Sequence, residues 1–145
     1  MAEVKRSSEG TWRGTLREGS GVLTTTSNVL KDTPYSFKSR FEDPTLGTNP
    51  EELLMAAHAG CFSMALANTL SRKGFTVHHV HTIGTCYFKL ANGSNVIDRI
   101  DLAVNAKVDG VSNEEFQTLA TETKNTCIVS QALKALPMAL EAKLD

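Results

Sequence analysis

Thr48-Asn49-Pro50-Glu51-Glu52-Leu53-Leu54-Met55-Ala56-Ala57-His58-Ala59-Gly60-Cys61-Phe62-Ser63-Met64-Ala65 is the stretch that decides the fold. Thr48 or Asn49 suits an N-cap, Pro50 suits the first helical position, and Glu51 and Glu52 favour the positive first turn. The helix can run to about Arg72, where Lys73-Gly74 is a stop signal. Between Glu52 and Arg72 it carries almost no charge. A helix so apolar is expected to be buried on most sides. In a chain this small, that predicts a second subunit covering part of it.

Outward from this helix the pattern is mixed. Upstream, Thr11 to Leu16 and Val22 to Thr26 read as a hairpin around Glu18-Gly19-Ser20-Gly21, and Tyr35 to Phe41 alternates with period two as a third strand. Downstream, Phe75 to Leu90 and Val96 to Val108 are strands joined at Asn92-Gly93-Ser94. Ser112-Asn113-Glu114-Glu115 opens a second helix, which Asn125-Thr126 breaks. Ile128 to Leu136 reads as a short third helix and Pro137 to Leu144 as a closing strand. The order β-β-β-α-β-β-α-α-β is an α+β architecture in a single domain over residues 1–145.

The bulk numbers narrow the function. The 145 residues are 41% hydrophobic with a net charge of −1, enough apolar content for a core. No basic stripe points to nucleic acid, and no uninterrupted apolar run points to a membrane span. The start, Met1 to Arg6, lacks an apolar signal core, which predicts a cytoplasmic protein. Three cysteines at irregular spacing, with no Cys-x-x-Cys, speak against a disulfide framework or a zinc ribbon. In His78-His79-x-His81, His79 and His81 share a strand face but lack a third well-spaced ligand, so no metal is expected.

What remains is thiol chemistry. Cys61 lies on a helix face of Ala, Gly and Ser that leaves room for approach, and Cys127 opens Cys127-Ile128-Val129-Ser130 at a helix break. We read this pair as a thiol redox centre, against the alternative that both thiols are inert packing. Cys86, in mid-strand, reads as core, and Trp12 and Tyr87 as packing. A nucleophilic Cys61 needs something to lower its pKa. It lies about 16 Å from the helix start, beyond the reach of the first-turn dipole. A cation is required: His58, one turn away, or Arg40, whose charge is fixed. Arg40 is preferred because a fixed cation also stabilises charge on a peroxide oxygen. Glu51 is about 15 Å from Cys61 along a straight helix and off its face, so if both serve one site, Glu51 comes from a second subunit. Read alone, Glu51 is a helix N-terminal carboxylate.

Gly47 to Leu54, with Ala56 to Leu66, closely resembles the OsmC/Ohr family of thiol-dependent peroxidases. The likeness extends to Cys127-Ile128-Val129-Ser130-Gln131-Ala132-Leu133 and to Tyr35 to Phe41, and covers essentially the whole chain. It is nearer the OsmC branch, since the arginine falls in the third strand. The resemblance implies an OsmC-like fold in an intertwined homodimer with two interfacial sites. It implies that Cys61 reacts with peroxide, Cys127 resolves it, and Arg40 and Glu51 assist. The expected activity is reduction of organic hydroperoxides, and more weakly hydrogen peroxide, with a dithiol or lipoylated protein as reductant and no cofactor. Phe37, Phe41, Phe62 and Met64 favour an organic substrate. Ile128 stands where the family often has proline, and Gly60 where alanine is more usual. The rivals are a non-enzymatic dimeric stress or binding protein, and a hydrolase using Cys61 and His58.

Overall fold

The computed structural model describes residues 1–145, which form two compact units, Met1–Leu53 and Leu54–Asp145.

The first unit is a three-stranded antiparallel sheet, β1 (Ser8–Arg13), β2 (Ser20–Thr25) and β3 (Thr33–Tyr35), in that order. Gly21 pairs with both Trp12 and Tyr35. The two rings meet across it at 5.4 Å between centroids. A Cβ at Gly21 would come within 2.4 Å of the Tyr35 ring and 2.7 Å of Trp12, so the ring pair requires glycine there.

The third strand is shorter than the alternation of residues 35–41 predicts. It stops at Tyr35, and Phe37–Phe41 is a helix, α1. Ser36 supplies the reason: its hydroxyl accepts the Ser39 N–H while the Ser39 hydroxyl accepts the Ser36 N–H, a closed capping box. The Phe37 and Phe41 rings then meet at 5.0 Å between centroids, tilted by 44°, as i and i+4 partners can on a helix. The Ser39 hydroxyl also donates to Thr48 O, and Asn49 Nδ2 donates to Ser39 O. A 3₁₀ turn at Pro44–Leu46 joins α1 to the helix that begins at Pro50.

That helix, α2, spans Pro50–Arg72, with Asn49 Oδ1 accepting the Glu52 N–H at 2.8 Å. In the second unit it packs on a sheet ordered β4 (Thr76–Ala91), β5 (Ser94–Asp109), β6 (Met138–Leu144). β4 and β5 are antiparallel, joined through Asn92 and Gly93 at φ 51° and 78°, as a tight hairpin requires. β5 and β6 are parallel. Their connection holds α3 (Asn113–Thr126, capped by Ser112) and α4 (Ile128–Ala132).

Helix α2 buries one stripe: Met55, His58, Phe62, Leu66 and Leu70. The stripe meets Ile100, Leu102, Val104, Ala106 and Val108 of β5 and Phe116, Leu119 and Ala120 of α3. Gly84 lets the sheet approach, its Cβ position lying 3.4 Å from Met55 O and Sδ. Ser63–Thr82 and Thr123–Thr69 hydroxyl pairs satisfy polar groups at the same contact. Burial within the chain is thus narrower than the composition of the helix implies, and Met64 on the opposite side is 77% exposed. By length and apolar composition α2 could cross a membrane, but its histidine and its stripe are committed to this core.

Leu66 is wholly buried in that stripe. Leu66→Ala is expected to cost about 2–5 kcal/mol of stability, read as a lowered denaturation midpoint at unchanged slope.

Candidate active site

Two groups of site residues form, one in each unit. In the first, α1 carries Arg40 and the start of α2 carries Glu51. The Ser39 and Asn49 bonds that hold α1 to the helix start bring the two together. Arg40 Nη2 lies 2.6 Å from Glu51 Oε1, and its Nε lies 3.1 and 3.2 Å from the two carboxylate oxygens. The guanidinium also lies 5.0 Å from the centre of the Phe41 ring. Glu51 is 12% exposed and Arg40 37%. The pair occupies Nε and Nη2, so Nη1 is not spent on it and can meet another anion. The arginine belongs to α1, after the third strand rather than within it.

In the second unit, Cys61 and Cys127 face one another with Sγ atoms 3.2 Å apart and no disulfide. They are 66 residues apart in sequence, and α2 and the start of α4 bring them together. Cys127 is the junction residue between α3 and α4, its N–H donating to Thr123 O. The first N–H groups of α4 have no carbonyl partner within their own helix. Burial pushes the Cys61 thiol up, aided by the bond and charge of Cys127, against the N–H groups of Val129 and Ile128 that favour its thiolate. Burial also pushes Cys127 up, but the Ser130 N–H, Cys61, the Ser130 hydroxyl and the Val129 N–H outweigh it and hold that thiol below its ordinary value. Of the two sulfurs, the one at the helix start carries negative charge more readily. For Cys61 to act as a nucleophile, a cation is still needed.

His58 is not that cation. It is fully buried, and burial holds its pKa below the ordinary 6.5, so the ring is neutral. Its Nε2 is 2.8 Å from Ser130 Oγ, and its Nδ1 has no partner. With Nε2 bonded to Ser130, the Cys61–His58 pair of a hydrolase does not form. Ser130, which the sequence left unmarked, is thus the partner of the buried His58 ring. Its signal is faint, one serine three residues beyond a cysteine.

Phe62 lies in the core rather than at a substrate surface, whereas Phe37 packs against Phe41 at a tilt and lies under the Arg17 guanidinium. Cys86 packs half-buried against the core. His78 bonds Asp109 Oδ2 at 2.7 Å, and Tyr87 lies beneath the Arg99 guanidinium at 3.6 Å. A Cβ at Gly60 would meet nothing within 4 Å, so no steric need demands glycine there. Ile128 has an N–H that a proline would lack, and that dipole favours charge on Cys61.

Residues 42–141 match the model of the OsmC-like protein family. The chain is 38% identical to Peroxiredoxin OsmC of Escherichia coli strain K12 over 132 residues, 91% of this chain and 92% of that one. Its fold is that of the organic hydroperoxide resistance protein OhrB of Bacillus subtilis, with a TM-score of 0.70, 24% identity, and 96% and 98% of the two chains covered. An organic hydroperoxide resistance protein from Elizabethkingia anophelis superposes with a TM-score of 0.75 at 20% identity over the whole of both chains. The protein belongs to the OsmC-like family.

The buried ring has a consequence for acid stability. Below pH 6.5 the unfolded state protonates its histidine first, because the folded pKa is depressed. His58 therefore removes stability as pH falls through the window beneath 6.5, and has no such effect above it. Urea midpoints taken from pH 7 to pH 5 should fall more steeply in the wild type than in His58→Gln.

Proposed function

We propose that this protein is a two-cysteine peroxidase that reduces organic hydroperoxides, and hydrogen peroxide more weakly. The observation that carries the reading is the Cys61–Cys127 contact, two thiols 66 residues apart brought to 3.2 Å in a chain 38% identical to a named peroxiredoxin. The Cys61 thiolate attacks the terminal oxygen of the hydroperoxide. The S–O bond forms as the O–O bond breaks, and the alkoxide leaves as an alcohol after taking a proton. Cys127 displaces water from the resulting sulfenic acid, giving a disulfide. An external dithiol, of which a lipoylated protein is one form, restores both thiols by exchange.

Arg40 supplies the cation that Cys61 lacks in its own surroundings, and Glu51 fixes its guanidinium in orientation. This assignment is supported by the two-point Arg40–Glu51 pair, which leaves Nη1 to serve a thiolate or a peroxide oxygen. The preference for an organic substrate is supported by an apolar cavity of about 380 Å³ beside Arg40, lined also by Trp12, Gly14, Leu16, Tyr35 and Ser36. We place the enzyme in the cytoplasm as a homodimer whose chain, 1–145, works as one OsmC-like domain. Each Cys61 is served by the Arg40–Glu51 pair of the other subunit, on the helix arithmetic above.

In a coupled assay with dithiol, Cys61→Ser is expected to fall to the uncatalysed rate with cumene hydroperoxide while keeping its far-ultraviolet spectrum. Retained turnover would remove Cys61 from the mechanism. The shared site is tested by mixing Cys61→Ser with Arg40→Ala subunits, each inactive alone. Activity should return as subunits exchange, because one site of the heterodimer is whole. Exchange without recovery would mean that each site is built within one chain.

A further inference from the structure

Helix α4 turns a polar residue to the core. Of its five residues only Ser130 is buried, while Ile128 is 80% exposed. The start of the helix has no side-chain cap. Its single turn is held by backbone bonds from Gln131 N–H to Cys127 O and from Leu133 N–H to Val129 O. A helix this short is marginal without tertiary support. Val129 and Leu133 give it partial apolar cover against the core. Such cover tolerates sliding and rotation, because burial of apolar area has no preferred direction. A hydrogen bond does not, since it weakens steeply with distance and angle.

The bond that fixes α4 joins Ser130 Oγ to His58 Nε2 at 2.8 Å, between residues 3% and 0% exposed. It forms with either neutral tautomer of the ring: an Nε2–H donates to the hydroxyl, and a bare Nε2 accepts from it. Its position ties it to the thiols. His58 lies three residues before Cys61 on α2, and Ser130 lies three residues after Cys127. Residues three apart share a helix face. The Cys61–Cys127 contact at 3.2 Å and the His58–Ser130 bond are therefore neighbouring rungs between the same two segments, which run in opposite directions. The first rung is a contact between two thiols, which are weak donors and acceptors. The second is a buried bond that is costly to leave unmade.

We propose that His58 and Ser130 are positioning residues whose bond pins α4 in register on α2 and so keeps the Cys127 sulfur opposite Cys61. Two cysteines can be bridged only with their Cα atoms within about 7 Å and their Cβ atoms turned toward each other. Slippage of α4 along α2 breaks that condition. The pin penalises slippage, because it would strand a buried hydroxyl and a buried ring nitrogen together. The use of this placement in peroxide turnover rests on the peroxidase reading, whereas the pin itself does not.

Cys127 is 2% exposed, so a reagent reaches its sulfur only when α4 lifts. The full chain carrying Cys61→Ser keeps Cys86 and Cys127 as its thiols. It is labelled with iodoacetamide, and each modified peptide is followed by mass spectrometry. Adding Ser130→Ala should raise the labelling rate of Cys127 about tenfold, the loss of roughly one buried hydrogen bond. Adding His58→Phe should do the same, and the two together should exceed neither alone, because both remove one bond. Amide exchange should quicken at Gln131 and Leu133 and stay unchanged in β5. Unchanged Cys127 labelling in Ser130→Ala, or additive effects of the two substitutions, would overturn the pin. Equal quickening of exchange in β5 would also overturn it, since the bond would then support the core in general. If His58→Phe does not fold, Ser130→Ala and its exchange pattern decide. With both thiols present, one equivalent of cumene hydroperoxide is added and dimedone competes with disulfide formation for the Cys61 sulfenic acid. Ser130→Ala should give a larger dimedone share than the wild type, and an equal share would overturn the positioning role in turnover. A wild type that forms neither adduct nor disulfide would overturn the peroxidase reading and leave the pin standing on its labelling and exchange.

Discussion

The packing of one face of α2 on the β4–β5–β6 sheet is the constraint on which the second unit depends. Phe62, Leu66 and Leu70 have no exposure, and their rotational setting on the helix fixes the direction of every neighbour. Cys61 precedes Phe62, so it stands at the margin of the buried stripe, half in the core and half at its edge. His58, one turn earlier, lies wholly inside. A shift of a few tens of degrees in the helix would move the thiol away from α4. The apolar contact therefore does chemical work at a distance, since it holds a sulfur where a second sulfur can meet it.

Electrostatics divides the labour between the two pairs. The sulfurs sit where burial disfavours charge, and the backbone N–H groups of α4 are their compensation. These donors favour charge on Cys127 over Cys61, so in the proposed cycle the thiol that meets the peroxide is the one short of positive charge. Arg40, held by two contacts to Glu51, is the kind of cation that could supply it: permanently ionised, oriented, and partly open to solvent. A histidine in the core could not, because burial removes its charge.

Much of this was legible in residues 48–72. The cap at Asn49, the proline at 50 and the arginine at 72 give the helix its ends, and the structure keeps them. Asn92-Gly93 and Ser112 likewise announce a hairpin and a helix start through local backbone chemistry. Residues 36–41 misled for an equally local reason. Aromatics at 37 and 41 fit a period of two and also a spacing of four, and the deciding Ser36–Ser39 exchange of hydrogen bonds is carried by two unremarkable serines. The His58–Ser130 bond was beyond reach, because 72 residues separate its ends and neither residue type signals a partner. Position along a helix can be read from sequence; which group across the core fills a hydrogen bond cannot.

The route between the strands β5 and β6 gives the thiol pair a mechanical meaning. Parallel neighbours need a long crossover, and Cys127 sits in that crossover at the joint between α3 and α4. A bond from there to Cys61 would close a loop of 66 residues. By chain entropy, such a closure is worth about 4 kcal/mol against unfolding. In the proposed cycle, oxidation would then do more than record a spent peroxide. It would cinch the crossover onto the central helix, so that the chain would be at its most tightly bound while awaiting a reductant and at its loosest when ready to react.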